Sequence, residues 1–242
     1  MGFFTIAFYQ PIYNLLAWLY QVLPGGDIGV SIIVITVLVK GALFPLTFRM
    51  LKSQKQMQEL QPKIKEIREK YKDDKEKLAA EMMTIYKDNK VNPFASCLPL
   101  LIQLPIFIAI YRVLRDGLGA VDESLLYSFV SNPGEFEAMF IGLIDLGAIF
   151  IPFGIVAGLL QYVQAKQTLA RKVAKEVDKS SGAMDEKMTE NMGKMMLYFM
   201  PAFTLMLSFS LPAGVMLYWM TTTLLTIILY HVFLGDKKKQ KS

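Results

Sequence analysis

The sequence predicts an all-α integral membrane protein with five transmembrane helices, an N-terminal interfacial helix and a cytoplasmic helical hairpin. Three observations predict it. Of 242 residues, 53% are hydrophobic and 19% charged, with mean hydropathy +0.36, a balance too apolar for an ordinary water-soluble chain. Apolar runs recur at about the 20 residues that a helix needs to cross a hydrocarbon core about 30 Å thick. The basic residues are confined to a few segments between those runs.

Each element follows in order. Residues 1–27 are aromatic and apolar but interrupted by Gln10, Pro11, Asn14 and Gln21, and they lack the basic start of a signal peptide. They suit an amphipathic helix on the outer face, with Trp18 and Tyr20 at headgroup level, better than a sixth span. Residues 28–48 form the first span. The next segment, 49–92, carries two helical patterns: Pro62 suits a first helical position, and Ile64, Ile67 and Tyr71 fall at helical spacing. After Asp73 and Asp74, the residues Leu78, Met82, Ile85 and Tyr86 repeat it. This antiparallel hairpin is far longer than the 2 to 8 residues that usually link bundle helices, which favours a function over a mere spacer.

Asn92 and Pro93 open the second span, 93–114. An extracytoplasmic loop, 115–145, leads to the third span, 146–165, whose earliest start is Ala138, and a cytoplasmic loop covers 166–193. Residues 195–234 contain no Asp, Glu, Lys or Arg. As one helix they would extend about 60 Å, twice the hydrocarbon thickness, so the chain folds back on itself. The turn is Ser210-Leu211-Pro212-Ala213-Gly214, which separates a fourth span, 194–210, from a fifth, 211–234, before a basic tail, 235–242.

Charge placement orients these spans. Of the 26 Lys and Arg, 23 fall in residues 49–90, in residues 166–194 and in the tail at Lys237, Lys238, Lys239 and Lys241. An odd number of spans puts all three regions on one side, the cytoplasm, with the N-terminus outside. Asp27, Asp122, Glu123, Glu135 and Glu137 fall on the other side. Arg112 and Arg115, at the outer end of span two, either snorkel to headgroups or pair with Asp116.

Composition excludes several chemistries. A lone Cys97 and a lone His231 leave no disulfide framework, zinc cluster or His-rich metal site. No GxxxxGK phosphate loop is present, and no nucleophile, base and acid fall together, so neither a cofactor nor catalytic residues are expected and the chain does not read as an enzyme.

Lys40 is the sharpest single feature. Nine residues short of Arg49 in a continuous helix, it lies about 13 Å below the cytoplasmic end, farther than a lysine stem snorkels. Such a charge costs about 2.5 kcal/mol or more and faces a bundle interior or a wet cavity. It either pairs with Asp145 or with carbonyls to hold the bundle, or it serves a polar groove. Thr36 lies one turn away on the same face, Gln161 and Gln164 near the cytoplasmic end of span three, and Tyr218 and Trp219 in span five. Gln103, between Pro99 and Pro105, either lines the same groove or shapes a kinked helix. A methionine stripe, Met184, Met188, Met192, Met196 and Met200, suits varied apolar partner helices and suits an ordinary packing seam as well.

Ordered stretches of the chain resemble the YidC/Oxa/Alb family of membrane protein insertases. They are Gly29-Val30-Ser31-Ile32-Ile33, Thr36 with a basic residue four later, Pro45-Leu46-Thr47, Gln61-Pro62 and Asn92-Pro93. They continue through Cys97-Leu98-Pro99, Gln103-Leu104-Pro105-Ile106-Phe107, Asp145-Leu146, Pro212-Ala213-Gly214 and Leu217-Tyr218-Trp219, covering about residues 5 to 235. The resemblance implies a bacterial cytoplasmic-membrane protein, monomeric or weakly dimeric, that inserts newly made membrane proteins and helps them fold, alone or beside the Sec translocon, without nucleotide hydrolysis. It implies a hydrophilic groove, open to cytoplasm and lipid, whose basic residue attracts an acidic substrate segment, and a hairpin that receives the nascent chain. It also implies ribosome contact by the basic tail, which positive-inside anchoring explains nearly as well. The family usually has arginine where this chain has Lys40; lysine can lose its proton when desolvated, so the groove must be wet enough to keep it charged. The chain resembles a minimal core, without the large external domain or lipobox cysteine of some relatives. An ion or small-solute transporter is the alternative, although no acid/His relay or inverted repeat supports it.

Overall fold

The computed structural model describes residues 2–89, 91, 98–116, 119–168 and 195–234, and within them the chain is predominantly helical. A π-helical turn at Thr5–Tyr9 runs into helix α1, Gln10–Val22. Pro11, which has no N–H to give, follows directly on this widened turn. Ile12, Tyr13, Leu16, Ala17 and Leu19 recur at helical spacing and are buried in one core with residues of the next helix, Ile28–Ala42 (α2), and of Leu98–Asp116 (α5). α1 is therefore part of the bundle core, and Trp18, Gln21 and Val22 are its exposed residues.

The polar residues that interrupt the apolar pattern of α1 clamp the segment that follows α5. Asn14 Nδ2 donates to the Leu125 carbonyl at 2.8 Å and Asn14 Oδ1 accepts from the Tyr127 N–H at 2.6 Å. Gln10 also donates to Leu125 O, Gln21 donates to Ser131 O, and the Tyr13 hydroxyl accepts from the Asp122 N–H. Tyr20 accepts the Glu137 N–H with its hydroxyl while its ring meets Phe136 edge-on. An irregular segment carries orphan backbone groups, and these side chains satisfy them.

Asp27 caps α2, accepting from the Val30 N–H at 2.9 Å. The sequence suggests one helix over residues 28–48; the structure breaks it. α2 stops at Ala42, and α3 (Phe44–Lys70) leaves at 69°. Pro45, in the first turn of α3, has no N–H for the carbonyl of Gly41, so the helix restarts in a new direction. Lys40 thus lies in the last turn of α2, and its distance along the chain from Arg49 does not measure its depth. Pro62 lies inside α3 and begins no helix.

α3 and α4 (Lys75–Asp88) pack against each other as a helical pair. Leu60, Ile64 and Val91 are buried at its centre, with Met57, Met82, Ile85 and Tyr86 packed around them. Asp74 caps α4 through the Lys77 N–H. This bond, helped by the Lys77 ammonium, holds the Asp74 carboxyl below its usual range. The cap is therefore present at neutral pH and is lost only as pH falls through that lowered value. The protection of amides in the first turn of α4, taken relative to the intrinsic exchange rate at each pH, is expected to fall in that acid range and to stay flat between pH 5 and 8, where the carboxylate remains ionised.

Asn92, Pro93 and Cys97 lie outside the described residues. α5 contains Pro105, and at its far end the Arg112 guanidinium stacks over Phe4 and that of Arg115 over Tyr111. Two short antiparallel ladders follow: β1 (Gly119–Ala120) with β2 (Glu135–Phe136), and β3 (Met139–Phe140) with β4 (Ile144–Asp145). Residues 138–145, the earliest part of the expected third span, therefore form a short hairpin, two strands joined by a turn at 141–143, and helix α6 starts only at Ile151, running to Thr168.

A π-helical turn at Met195–Phe199 leads into α7 (Met200–Leu207), and the expected turn then delivers α8 (Ala213–Leu234). The first amides of α8 are capped from outside the helix, Ala213 N–H by Ala148 O at 2.8 Å and Gly214 N–H by Leu146 O at 3.0 Å. α8 packs mainly on α6 and α2, while α6 also packs closely on α7. Gly154 and Gly158, one turn apart on α6, permit that approach: a Cβ at Gly154 would collide with the Ser208 side chain, and one at Gly158 would press on the Pro201 carbonyl at 3.2 Å. Gly154→Leu is expected to cost about 1–3 kcal/mol, seen as a lower thermal midpoint in detergent, whereas Val156→Leu at an exposed site leaves it unchanged.

Among the described residues, α8 alone is long and apolar enough to cross a membrane, and the bent pair Ile28–Ala42 with Phe44–Met57 makes a second if counted as one span. α5 and α6 carry interior polar residues, Gln103 in one and Gln161 and Gln164 in the other, and α7 has only eight residues.

Candidate functional site

α8 is apolar over most of its surface, yet Tyr218, Thr222 and Thr226 recur every fourth residue and so share one face. The stripe connects three helices. Near its start the Gln103 side-chain amide of α5 donates to the Tyr218 hydroxyl, and Tyr218 is only 2% exposed. One turn on, Thr222 Oγ1 is buried beside Tyr218 without a hydrogen bond of normal geometry. A further turn on, the Thr226 hydroxyl donates to the Thr222 carbonyl at 2.8 Å, which leaves its lone pairs to a donor. Lys40 Nζ of α2 lies 3.5 Å from that oxygen.

Lys40 is half-buried, and among the described residues no carboxylate pairs with it. Asp145, its one acidic candidate, is excluded by position. It is exposed and caps its own turn by accepting the Gly147 N–H, in a ladder whose other strand packs at the start of α2 beside Gly29. Lys40 lies eleven residues farther along that helix, about 17 Å away.

The seven residues singled out from sequence divide accordingly. Lys40, Tyr218 and Gln103 meet the stripe. Thr36 lies one turn before Lys40 but is buried and spends its hydroxyl on the Ile32 carbonyl at 2.6 Å. The Trp219 ring packs edge-on against Phe107 of α5 at 5.3 Å. Gln161 accepts from the Thr204 hydroxyl across the seam between α6 and α7, and Gln164 is half-buried one turn farther on. Thr222 and Thr226 are the additions, and their four-residue spacing from Tyr218 is the signal by which they could be found. A separate small cavity, between α1, α2 and α5, is lined only by apolar side chains such as Leu16, Ile32, Ile35 and Val113 and has no polar character.

The base of the hairpin is fastened beside this site. Phe44 and Phe48 of α3 stack around Phe233 of α8, and Lys55 Nζ caps the last described carbonyl of α8, Leu234 O, at 2.7 Å. Lys55→Met is expected to weaken this end by about 1 kcal/mol, seen as several-fold faster amide exchange in the last turn of α8 with the rest of the helix unchanged.

Residues 18–241 match the family model described as the 60Kd inner membrane protein. The chain belongs to this family. A similar protein from Fusobacterium nucleatum, called membrane protein insertase YidC, is 33% identical over 203 residues, 84% of each chain. Another, membrane protein insertase YidC 2 of Listeria innocua, is 32% identical over 230 residues, 93% of this chain and 70% of the relative. A YidC from Pelobacter propionicus is 32% identical over 227 residues, but the present chain spans only 38% of its length. The stretch shared with the family contains Lys40, the stripe on α8 and the hairpin. Gln10, Asn14 and Tyr13 of the α1 clamp fall before it.

Proposed function

We propose that the chain is a membrane protein insertase of the bacterial cytoplasmic membrane that passes newly made membrane proteins into the bilayer along a polar groove. The spans are α2, α5, α6, the segment 195–207 and α8, with α1 at the outer face, the α3–α4 hairpin and the basic tail in the cytoplasm, and the N-terminus outside. The names of the relatives support the activity. The observation that carries it is Lys40: an ammonium in an apolar helix, with no carboxylate partner among the described residues, beside the hydroxyl of Thr226.

The chemistry needed is modest. A polar or acidic segment entering the membrane loses hydration worth several kcal/mol, and a charged, hydroxyl-lined recess replaces part of it. The apolar segment that follows partitions into lipid by itself, since about 20 apolar residues favour the hydrocarbon, so no nucleotide is consumed. The hairpin is the receiving surface for the emerging chain, Lys237, Lys238, Lys239 and Lys241 meet ribosomal RNA, and the Sec translocon acts beside it for larger substrates.

Photocrosslinking to a ribosome-bound nascent membrane protein tests this. Probes at Lys40, Tyr218, Thr222 and Thr226 are expected to capture the nascent chain, and a probe at exposed Trp18 of α1 is not. Capture at Trp18 with none along the stripe contradicts the groove.

A further inference from the structure

The ladder of β3 and β4 turns through Ile141, Gly142 and Leu143. φ is +48° at Ile141 and +68° at Gly142, two consecutive residues in the region that favours glycine. Glycine takes that conformation freely, but a β-branched residue there is an outlier, and turns of this kind usually use Asn, Asp or Gly. Such strain persists only where surrounding contacts impose it. Here they do: the Ile141 N–H donates to Asp27 Oδ2 at 2.5 Å, at the cap of α2, while the Phe140 side chain fills the space over Gly29 and packs on Phe153 of α6. The base of the turn is thus locked between the starts of α2 and α6.

The tip faces the other way. Ile141 is 58% and Leu143 78% exposed, and residues 138–144 contain no charge. A water-facing turn has no use for isoleucine and leucine at its apex, least of all in a strained conformation that Asn would accept. Exposed apolar residues also follow the turn along the chain, with Ile149 just before α6 and Ile151 and Ile155 in its first two turns. Asp27 and Asp145, which bracket the tip, place it at the level where apolar α2 begins.

We propose that the Ile141–Gly142–Leu143 tip inserts into the acyl-chain border of the outer leaflet and anchors the whole α5–α6 segment to the membrane. Lipid is the occupant because the turn packs through Phe140 on Phe153 at the start of α6, a helix read above as a span whose Ile151 and Ile155 are exposed as well. α1 holds the opposite side of the same segment through Asn14, Gln10 and Gln21, so the segment is fastened to protein on one side and to lipid on the other.

This rests on the membrane-spanning reading of α2, α6 and α8, and the test separates the two. In a Cys97→Ser chain, Ile141→Cys, Leu143→Cys, Asn132→Cys and Leu224→Cys are labelled singly with a polarity-sensitive fluorophore and reconstituted into phosphatidylcholine vesicles. Labels at 141 and 143 are expected to lose intensity to lipids brominated near the headgroup and to be shielded from aqueous iodide. The label at 132 shows the reverse, and that at 224 loses intensity to lipids brominated near the chain ends. Iodide quenching at 141 and 143 equal to that at 132, with 224 still responding to bromolipid, overturns the anchor and leaves the spans intact. No bromolipid response at any of the four positions overturns both. Disulfide-linked dimers through Leu143→Cys without bromolipid quenching replace lipid by a second copy of the chain and also overturn the anchor.

Discussion

Lys40→Ala is expected to lower insertion of a substrate with an acidic translocated segment by about tenfold, whereas Lys40→Arg retains it. A carboxylate about 5 Å from an ammonium in a partly hydrated recess gains on the order of 2 kcal/mol, and tenfold corresponds to about 1.4 kcal/mol. Arginine preserves the charge and brings more donors to the same hydroxyl. A substrate whose translocated segment carries no acid is expected to insert equally through all three forms, since the electrostatic contribution is then absent. Reconstituted vesicles presented with the paired substrates measure the difference. Equal insertion of the acidic substrate by wild type, Lys40→Ala and Lys40→Arg would show that the charge attracts nothing.

Asn14→Leu has the largest expected effect on stability. Asn14 is 3% exposed and makes three hydrogen bonds, donating to Gln10 O and Leu125 O, both at 2.8 Å, and accepting from the Tyr127 N–H at 2.6 Å. Leucine fills nearly the same volume but leaves the Tyr127 N–H without an acceptor; Leu125 O keeps the weaker bond from Gln10 at 3.1 Å. One orphaned buried donor costs about 1–3 kcal/mol, and the lost bonds bring the total to roughly 2–4 kcal/mol. The thermal midpoint in detergent should fall by roughly 5–10 °C. Limited proteolysis should cut sooner within residues 121–137, because the clamp holding that segment to α1 is gone. An unchanged midpoint together with an unchanged cleavage pattern would mean that the clamp does not hold it.

The two sites were unequally legible in the sequence. Lys40 stands out because a charge in an apolar run is rare and expensive, which is a statement about composition along one helix and needs no fold. Tyr218 and Gln103 were legible as polar residues in apolar helices, and they do meet. Thr222 and Thr226 were hidden among ordinary threonines, which satisfy themselves on their own helix carbonyls, as Thr226 does, and so advertise nothing until a neighbour such as Lys40 approaches. Asn14, Gln10 and Gln21 mark α1 as no simple span, but their partners are backbone groups more than a hundred residues away in an irregular segment, and sequence periodicity carries no information about such contacts.

The break after α2 shows the same division. Pro45 is visible in the sequence, and a proline four residues from a glycine warns of a kink, yet the apolar pattern continues through Phe48 and favours one long helix. Only packing decides it, because Phe44 and Phe48 find Phe233 and Lys55 finds the end of α8 when the chain turns by 69°.

The sequence by itself determined that this chain is an apolar helical protein, that its bases are segregated between apolar runs, that a charged hairpin interrupts them and that one lysine lies where charge is costly. These are properties of composition and of helical period, which act locally. Tertiary structure alone decided which helix faces Lys40, which hydroxyl lies beside it, where the apolar run of α2 turns, and how α1 holds the strained turn-bearing segment between α5 and α6. Those outcomes depend on satisfying particular donors and acceptors between elements far apart in the chain, and one-dimensional pattern does not encode them.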